Sequence, residues 1–223
     1  MLTPVNPSPL ICANWVNALA EEGWAATSLL IPPDLCLALR DEAIALHESD
    51  KLTRAGIGRA NDFAIETRIR RDKTRWFTRT SEAQLAYLDC LETLRLMLNQ
   101  TLYLGLFSYE ALHAVYEPGA FYARHVDAFK GARNRIVSTV LYLNPDWQTR
   151  DGGHLVLYDE RTDREMTRIA PEFATMVIFL SEDVPHEVLP AHRDRYSIAG
   201  WFRVNDRAVA PGLQAPSTVA VKL

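Results

Sequence analysis

His125 and Asp127 stand two residues apart in Tyr122-Ala123-Arg124-His125-Val126-Asp127. On an extended strand, residues i and i+2 share a face, so an imidazole and a carboxylate would lie side by side. Both groups are costly to bury unless they are paired or bind a metal. His186, in Asp183-Val184-Pro185-His186-Glu187-Val188, opens a later extended run and offers a third donor. Two imidazoles and one carboxylate, with positions left open, make a facial donor set suited to iron(II) and oxygen chemistry. The His125/Asp127 pair by itself also fits a surface ion pair, or a strand histidine bonded to a backbone carbonyl. Arg195, nine residues after His186, opens an otherwise apolar run ending at Phe202. An arginine there can clamp a carboxylate through two parallel hydrogen bonds in a dry pocket, or serve as a charge at a strand's entry.

Such side chains need strands to aim them. After Leu106, short β-branched and aromatic runs cover 108–117, 121–125, 135–143, 153–158, 165–169, 175–180, 186–189 and 195–203. Between them fall turn signals such as Glu117-Pro118-Gly119, Asn144-Pro145-Asp146 and Asp151-Gly152-Gly153. Frequent short strands of this kind predict a closed or double-sheet β architecture. The first half reads differently. Helical spacing covers 11–22, a strand is expected over 26–31, and Pro32-Pro33 opens a helix with apolar Leu35, Leu37, Leu39, Ala43, Ile44 and Leu46. Residues 48–61 read as a mobile loop and 63–76 as containing a strand. Ser81 caps a long helix to residue 100 that carries Leu85, Tyr87, Leu88, Leu91, Leu94, Leu96 and Leu98. The helices are expected on the outside of one sheet. The chain reads as one domain of α+β, mainly β class: 1–105 helical support, 106–205 the β core, 206–223 a tail.

Composition narrows the function classes. Hydrophobic residues make up 48% of the 223, charged residues 23%, and the net charge is −4, ordinary for a globular protein. That balance gives no case for nucleic acid or an anionic membrane as partner. No apolar stretch approaches the roughly 20 residues that span a bilayer. No basic region followed by an apolar run opens the sequence, and Cys12, Cys36 and Cys90 are odd in number and far apart. A reducing, cytoplasmic setting is the expectation.

The second half of the sequence resembles the prolyl 4-hydroxylase branch of the iron(II)- and 2-oxoglutarate-dependent dioxygenases. It is most similar to the hypoxia-inducible-factor prolyl hydroxylases and their bacterial relatives. The stretches that carry the likeness are Tyr116-Glu117-Pro118-Gly119, the His125/Asp127 hexapeptide, Arg135-Ile136-Val137-Ser138-Thr139-Val140-Leu141-Tyr142-Leu143-Asn144, Gly152-Gly153-His154-Leu155, Pro185-His186-Glu187-Val188, and Arg195-Tyr196-Ser197-Ile198-Ala199-Gly200-Trp201-Phe202. They follow family order over residues 65–205.

The resemblance implies a double-stranded β-helix, or jelly-roll, core. It implies His125, Asp127 and His186 as iron ligands, and Arg195 with Tyr142 on the distal carboxylate of 2-oxoglutarate. Tyr116 and Tyr122 become pocket tyrosines, and Arg135 and Trp201 line the entrance for a substrate proline. The run Arg71-Asp72-Lys73-Thr74-Arg75-Trp76 resembles a loop that folds over a peptide, with Asp72 carried over. Dioxygen is the second cosubstrate, and ascorbate is admitted as an auxiliary. Asp127 favours hydroxylation, since halogenating relatives leave that ligand position open. The implied partner is a protein with a target proline, elongation factor Tu being one bacterial example, and a monomer is favoured. A hydroxylase of a free amino acid and a non-catalytic sensing module are the competing readings. One departure is plain: Tyr116 lies one residue closer to His125 than in the animal enzymes. His47, His113, His154 and His192 are read as ordinary packing or surface histidines.

Overall fold

Pro33 begins a helix because its missing N–H falls where no intrahelical partner exists, and its fixed φ already suits the first turn. Asp34 in that turn complements the helix dipole. The computed structural model describes residues 9–28, 30–56, 68–128, 134–204 and 220–221; of 9–13 and 220–221 it describes the backbone alone. The expected lead-in over 1–8, residues 57–61 of the expected loop and most of the 206–223 tail therefore lie outside the described residues. The elements are α1 (Pro9–Glu22), β1 (Trp24–Thr27), α2 (Pro33–Glu48), β2 (Thr53–Arg54), β3 (Lys73–Trp76), α3 (Glu82–Leu102), β4 (Ser108–Tyr116), β5 (Tyr122–Val126), β6 (Arg135–Tyr142), β7 (Leu155–Tyr158), β8 (Glu165–Ile169), β9 (Met176–Leu180), β10 (His186–Val188), β11 (Arg195–Arg203) and β12 (Ala220–Val221).

The third helix starts where Ser81 Oγ accepts from the Gln84 N–H at 3.1 Å. It ends at Tyr103, whose φ of 54° lies in the left-handed region. Its buried face runs Tyr87, Leu91, Leu94, Leu98, a helical stripe. Leu85, Leu96 and, on α2, Leu37 face solvent, contrary to expectation. They fall off the stripe that the sheet can cover. The early strand is also displaced. Gly23, at φ 79°, ends α1, and Trp24 pairs at once with Phe179, so β1 occupies 24–27. The strand expected within 63–76 is present from Lys73 to Trp76, paired with β4, so the loop that the resemblance implied over 71–76 is strand over most of its length.

The β elements form a seven-stranded sheet, β1-β9-β6-β11-β4-β3-β2, and a five-stranded sheet, β12-β5-β10-β7-β8. Each named strand pairing is antiparallel. Two such sheets face to face are the jelly-roll. The larger sheet is covered on both sides, which explains its nearly continuous apolar strands. On one side Val115, Val137, Met176, Ile178, Ile198 and Phe202 pack under the helices with Trp15, Leu39, Tyr87 and Leu91. On the other, Leu112, Tyr116, Tyr142, Val177, Phe179 and Trp201 meet Leu155, Leu157 and Val188 of the smaller sheet. That second layer is where polar side chains can be both dry and precisely aimed. No helix among the described residues is long and apolar enough to cross a membrane.

Gly200 is glycine for a steric reason. A Cβ there would meet the Tyr109 hydroxyl at 2.0 Å, and that hydroxyl bonds Thr139 at 2.7 Å and Tyr87 at 3.1 Å. Gly200→Ala should therefore cost about 2 kcal/mol through overpacking. Thermal unfolding should show this as a Tm lower by roughly 4–8 °C; an unchanged Tm would mean that Tyr109 yields without loss.

Candidate metal and cosubstrate site

His125 and His186 sit directly opposite each other on neighbouring strands β5 and β10. Asp127 lies one residue past the end of β5. Their donor atoms all lie within 4.8 Å of one another. Asp127 Oδ1 is 3.8 Å from His125 Nε2, and Oδ2 is 3.8 Å from His186 Nε2. These gaps are too long for hydrogen bonds.

Each histidine is fixed by the same local device. His125 Nδ1 is 2.8 Å from the Ala123 carbonyl, and His186 Nδ1 is 3.0 Å from the Val184 carbonyl. A carbonyl only accepts, so Nδ1 carries the proton and Nε2 is left to face Asp127. Burial, helped by His186, pushes the His125 pKa well below its ordinary value, so its imidazole is neutral. Burial alone would raise the Asp127 carboxyl. His186, His125, the Ser138 hydroxyl and Arg135 outweigh it and hold the pKa below the usual value. Ser138 Oγ donates to Asp127 Oδ2 at 2.7 Å, reaching across from β6 of the larger sheet. Tyr122 stacks on the His125 ring at 3.6 Å, and Phe179 packs on His186 at 4.6 Å. A lone pair on His125 Nε2 aimed at a carboxylate, with no proton between, is an arrangement that a cation resolves. The donor set fits a divalent ion of borderline softness.

Arg195 occupies another part of the inner layer and is 1% exposed. Its Nε donates to the Gly153 carbonyl at 2.9 Å and its Nη1 to Ser197 Oγ at 3.2 Å. Among the described residues Nη2 has no hydrogen-bond partner, and neither has the Tyr142 hydroxyl. The guanidinium lies 4.8 Å from the Tyr116 ring and 4.9 Å from the Tyr142 ring. Burial pushes the Tyr142 pKa up to about 12, although Arg195 pulls the other way, so its phenol stays protonated and can donate. A buried cation with a spare donor, beside a buried hydroxyl with none to bond, fits a carboxylate ligand. Gly153 makes room for it: at φ 65°, a Cβ would come within 3.0 Å of Arg195 Cδ.

The remaining expected residues lie on a further flank. Trp201 is buried, and the Arg135 guanidinium stacks on it at 3.9 Å. Trp76 approaches Trp201 at 5.9 Å. Asp72 is 1% exposed and tied to Arg70 by contacts of 2.8 and 2.6 Å. It therefore presents no free carboxylate on a loop; Arg70 in turn covers Tyr122 at 4.1 Å. Ser138, Ser197, Arg70 and Glu110 are participants that sequence reading passed over. An Arg-x-Asp spacing at 70–72 was the one available signal, since side chains two apart on a strand share a face. The other histidines are elsewhere: His113 is buried 3.4 Å from Glu42, His47 lies between Glu117 and Asp194, His192 bonds the Arg150 carbonyl, and His154 is half-buried before β7.

Residues 111–203 match the 2OG-Fe(II) oxygenase superfamily. The crystal structure of a Pseudomonas putida prolyl-4-hydroxylase is 40% identical, with a TM-score of 0.79, over 87% of this chain and 100% of that one. A Trichoplax adhaerens prolyl hydroxylase, solved with a hypoxia-inducible-factor oxygen degradation domain peptide, is 28% identical, with a TM-score of 0.76, over 90% and 91%. Egl nine homolog 1 of Rattus norvegicus is 36% identical over 94 residues, 41% of this chain and 28% of that protein. The chain thus spans less than a third of that animal relative's length. Being 40% identical to a solved prolyl-4-hydroxylase over the entire length of that protein, this chain belongs to the 2OG-Fe(II) oxygenase superfamily, in its prolyl 4-hydroxylase branch.

Proposed function

We propose that this chain hydroxylates a prolyl residue of a protein substrate, giving 4-hydroxyproline. Superfamily membership implies iron(II) and 2-oxoglutarate. The observation that carries the reading is the pairing of a buried His-Asp-His donor set with a buried arginine that lacks a carboxylate partner among the described residues. Bound iron(II), 2-oxoglutarate and dioxygen supply an oxidant able to hydroxylate an unactivated carbon, with succinate and carbon dioxide as the other products; ascorbate would be an auxiliary.

The residues divide that work. His125, Asp127 and His186 hold the metal, with Ser138 fixing the carboxylate. Arg195 Nη2 and the Tyr142 hydroxyl grip the far carboxylate of 2-oxoglutarate, walled by Tyr116. Tyr122, Arg135 and Trp201 line the substrate's approach, and Asp72 acts there through Arg70. A peptide substrate is supported by the Trichoplax relative, solved with one. Elongation factor Tu is the first candidate. The free thiols Cys36 and Cys90 suit a cytoplasmic enzyme.

Succinate release, followed by mass spectrometry of an elongation factor Tu prolyl peptide and of free proline, tests this directly. The expected result is one oxygen gained on the peptide's proline; turnover of free proline alone would favour a small-molecule hydroxylase. Asp127→Ala should abolish hydroxylation and weaken iron binding at least about 10-fold, read by metal titration. Arg195→Met should leave stability without cosubstrate nearly unchanged, because a buried unpaired charge contributes little to folding. The same variant should raise the 2-oxoglutarate requirement about 100-fold, the scale of a buried charge-assisted pair. Thermal shift with manganese(II) in place of iron separates these: 2-oxoglutarate should raise the Tm of the unaltered protein and leave that of the variant where it was.

A further inference from the structure

Arg203 on β11 lies directly opposite Arg135 on β6. Like charges in that position repel, the more so when dry. Both guanidiniums are buried, and Glu110 between them is partly buried. Glu110 on β4 lies between them and gives one carboxylate oxygen to each. Its Oε1 accepts from Arg135 Nε at 2.9 Å and lies 2.7 Å from Arg135 Nη2. Its Oε2 accepts from Arg203 Nη1 at 3.2 Å. Glu110 thus bridges the two cations, and its hold on two nitrogens of Arg135 fixes where that guanidinium points.

That placement has a consequence for the site. Glu110 is the cross-strand neighbour of Trp201 on one side, and Ser138 is its neighbour on the other. Ser138 is the residue that bonds Asp127. Arg135 lies over the Trp201 ring at 3.9 Å, and its edge is engaged by Glu110. We propose that Glu110 is a positioning residue for the substrate side of the site: it holds Arg135 against Trp201 and thereby sets affinity for the prolyl substrate. The proposal rests on the prolyl hydroxylase reading above. Arg195, by contrast, is eight residues back along β11, roughly 25 Å of extended chain, and shares no hydrogen bond with this cluster. The cosubstrate pocket should not feel a change at Glu110.

Steady-state kinetics with the prolyl peptide, varying each substrate at saturating levels of the other, tests this. Glu110→Gln keeps the shape and removes the charge that offsets two guanidiniums. It should raise the peptide KM about tenfold, the scale of one charge-assisted hydrogen bond, while the 2-oxoglutarate KM moves by less than about twofold. Adding Arg203→Gln removes the repelling partner and should bring the peptide KM back toward that of the unaltered protein. An unchanged peptide KM in Glu110→Gln overturns the proposal. So does an equal rise in both KM values, or a double variant no better than the single one, since either marks a merely structural loss. Arg203→Gln alone leaves Glu110 on Arg135 and should keep the peptide KM within about twofold; a tenfold rise there also overturns it, even if Glu110→Gln does not fold. If the unaltered protein hydroxylates no prolyl peptide, the underlying reading fails and takes the proposal with it, an outcome distinct from normal turnover with an indifferent Glu110→Gln.

Discussion

A carboxylate and two imidazole nitrogens, drawn together in a dry layer and left without hydrogen bonds between them, set the terms for the rest of this fold. Such a cluster is unfavourable by itself, because the atoms that face one another have given up water without bonding each other. It persists because the backbone over-determines it. Each imidazole is hooked to the carbonyl two residues earlier, Ala123 for His125 and Val184 for His186. The two hooks face each other across adjacent strands, so one register fixes both rings. A slip of one residue would turn one ring away from the other.

The larger sheet makes this possible by being covered twice. Its outer side is apolar packing under α1, α2 and α3, and that packing holds the sheet. Its inner side can then carry polar groups at alternate positions of the same strands. On β11 the two parities separate cleanly. Tyr196, Ile198 and Phe202 belong to the helical side, and Trp201 to the inner layer. Arg195 and Ser197 are of Trp201's parity and bond to each other. Gly200, on the helical side, yields its side-chain space to Tyr109. The helices thus contribute to the site without supplying any of its residues.

Much of this was legible before any coordinates. All eight strands expected after Leu106 exist: turn residues such as Pro118-Gly119, Pro145-Asp146 and Gly152-Gly153 separate them, and burial on both faces keeps those of the larger sheet apolar. The His-x-Asp spacing and the family likeness gathered His125, Asp127 and His186, and these converge. Three features were not legible. Covalent sequence does not say which of two apolar stripes a sheet will cover, so Leu37, Leu85 and Leu96 were misjudged as buried. Sequence left the cationic run with two readings, a strand within 63–76 and a loop over 71–76, and Lys73–Trp76 is strand because β4 lies beside it. Hydroxyls and carboxylates that act through others, such as Ser138 and Glu110, look like any strand residue until the register across β6, β11 and β4 is drawn.

The arginines around the site are treated unequally, and the inequality carries chemical information. Arg70 is paired with Asp72, and Arg135 and Arg203 with Glu110. Their charges are largely answered within the protein, so Arg70 and Arg135 act as shaped, rigid surfaces that stack on Tyr122 and Trp201. Arg195 alone of these four inner arginines has no carboxylate beside it among the described residues; a carbonyl and a hydroxyl use two of its edges and the third is open. A ligand carboxylate gains most where the protein has left a cation unanswered, and least where it would have to compete with an internal anion. The charge pattern alone therefore orients the site. On the proposed reading, an acidic cosubstrate goes to Arg195, while the flank at Trp201 takes a prolyl peptide, a group that stacks and accepts hydrogen bonds.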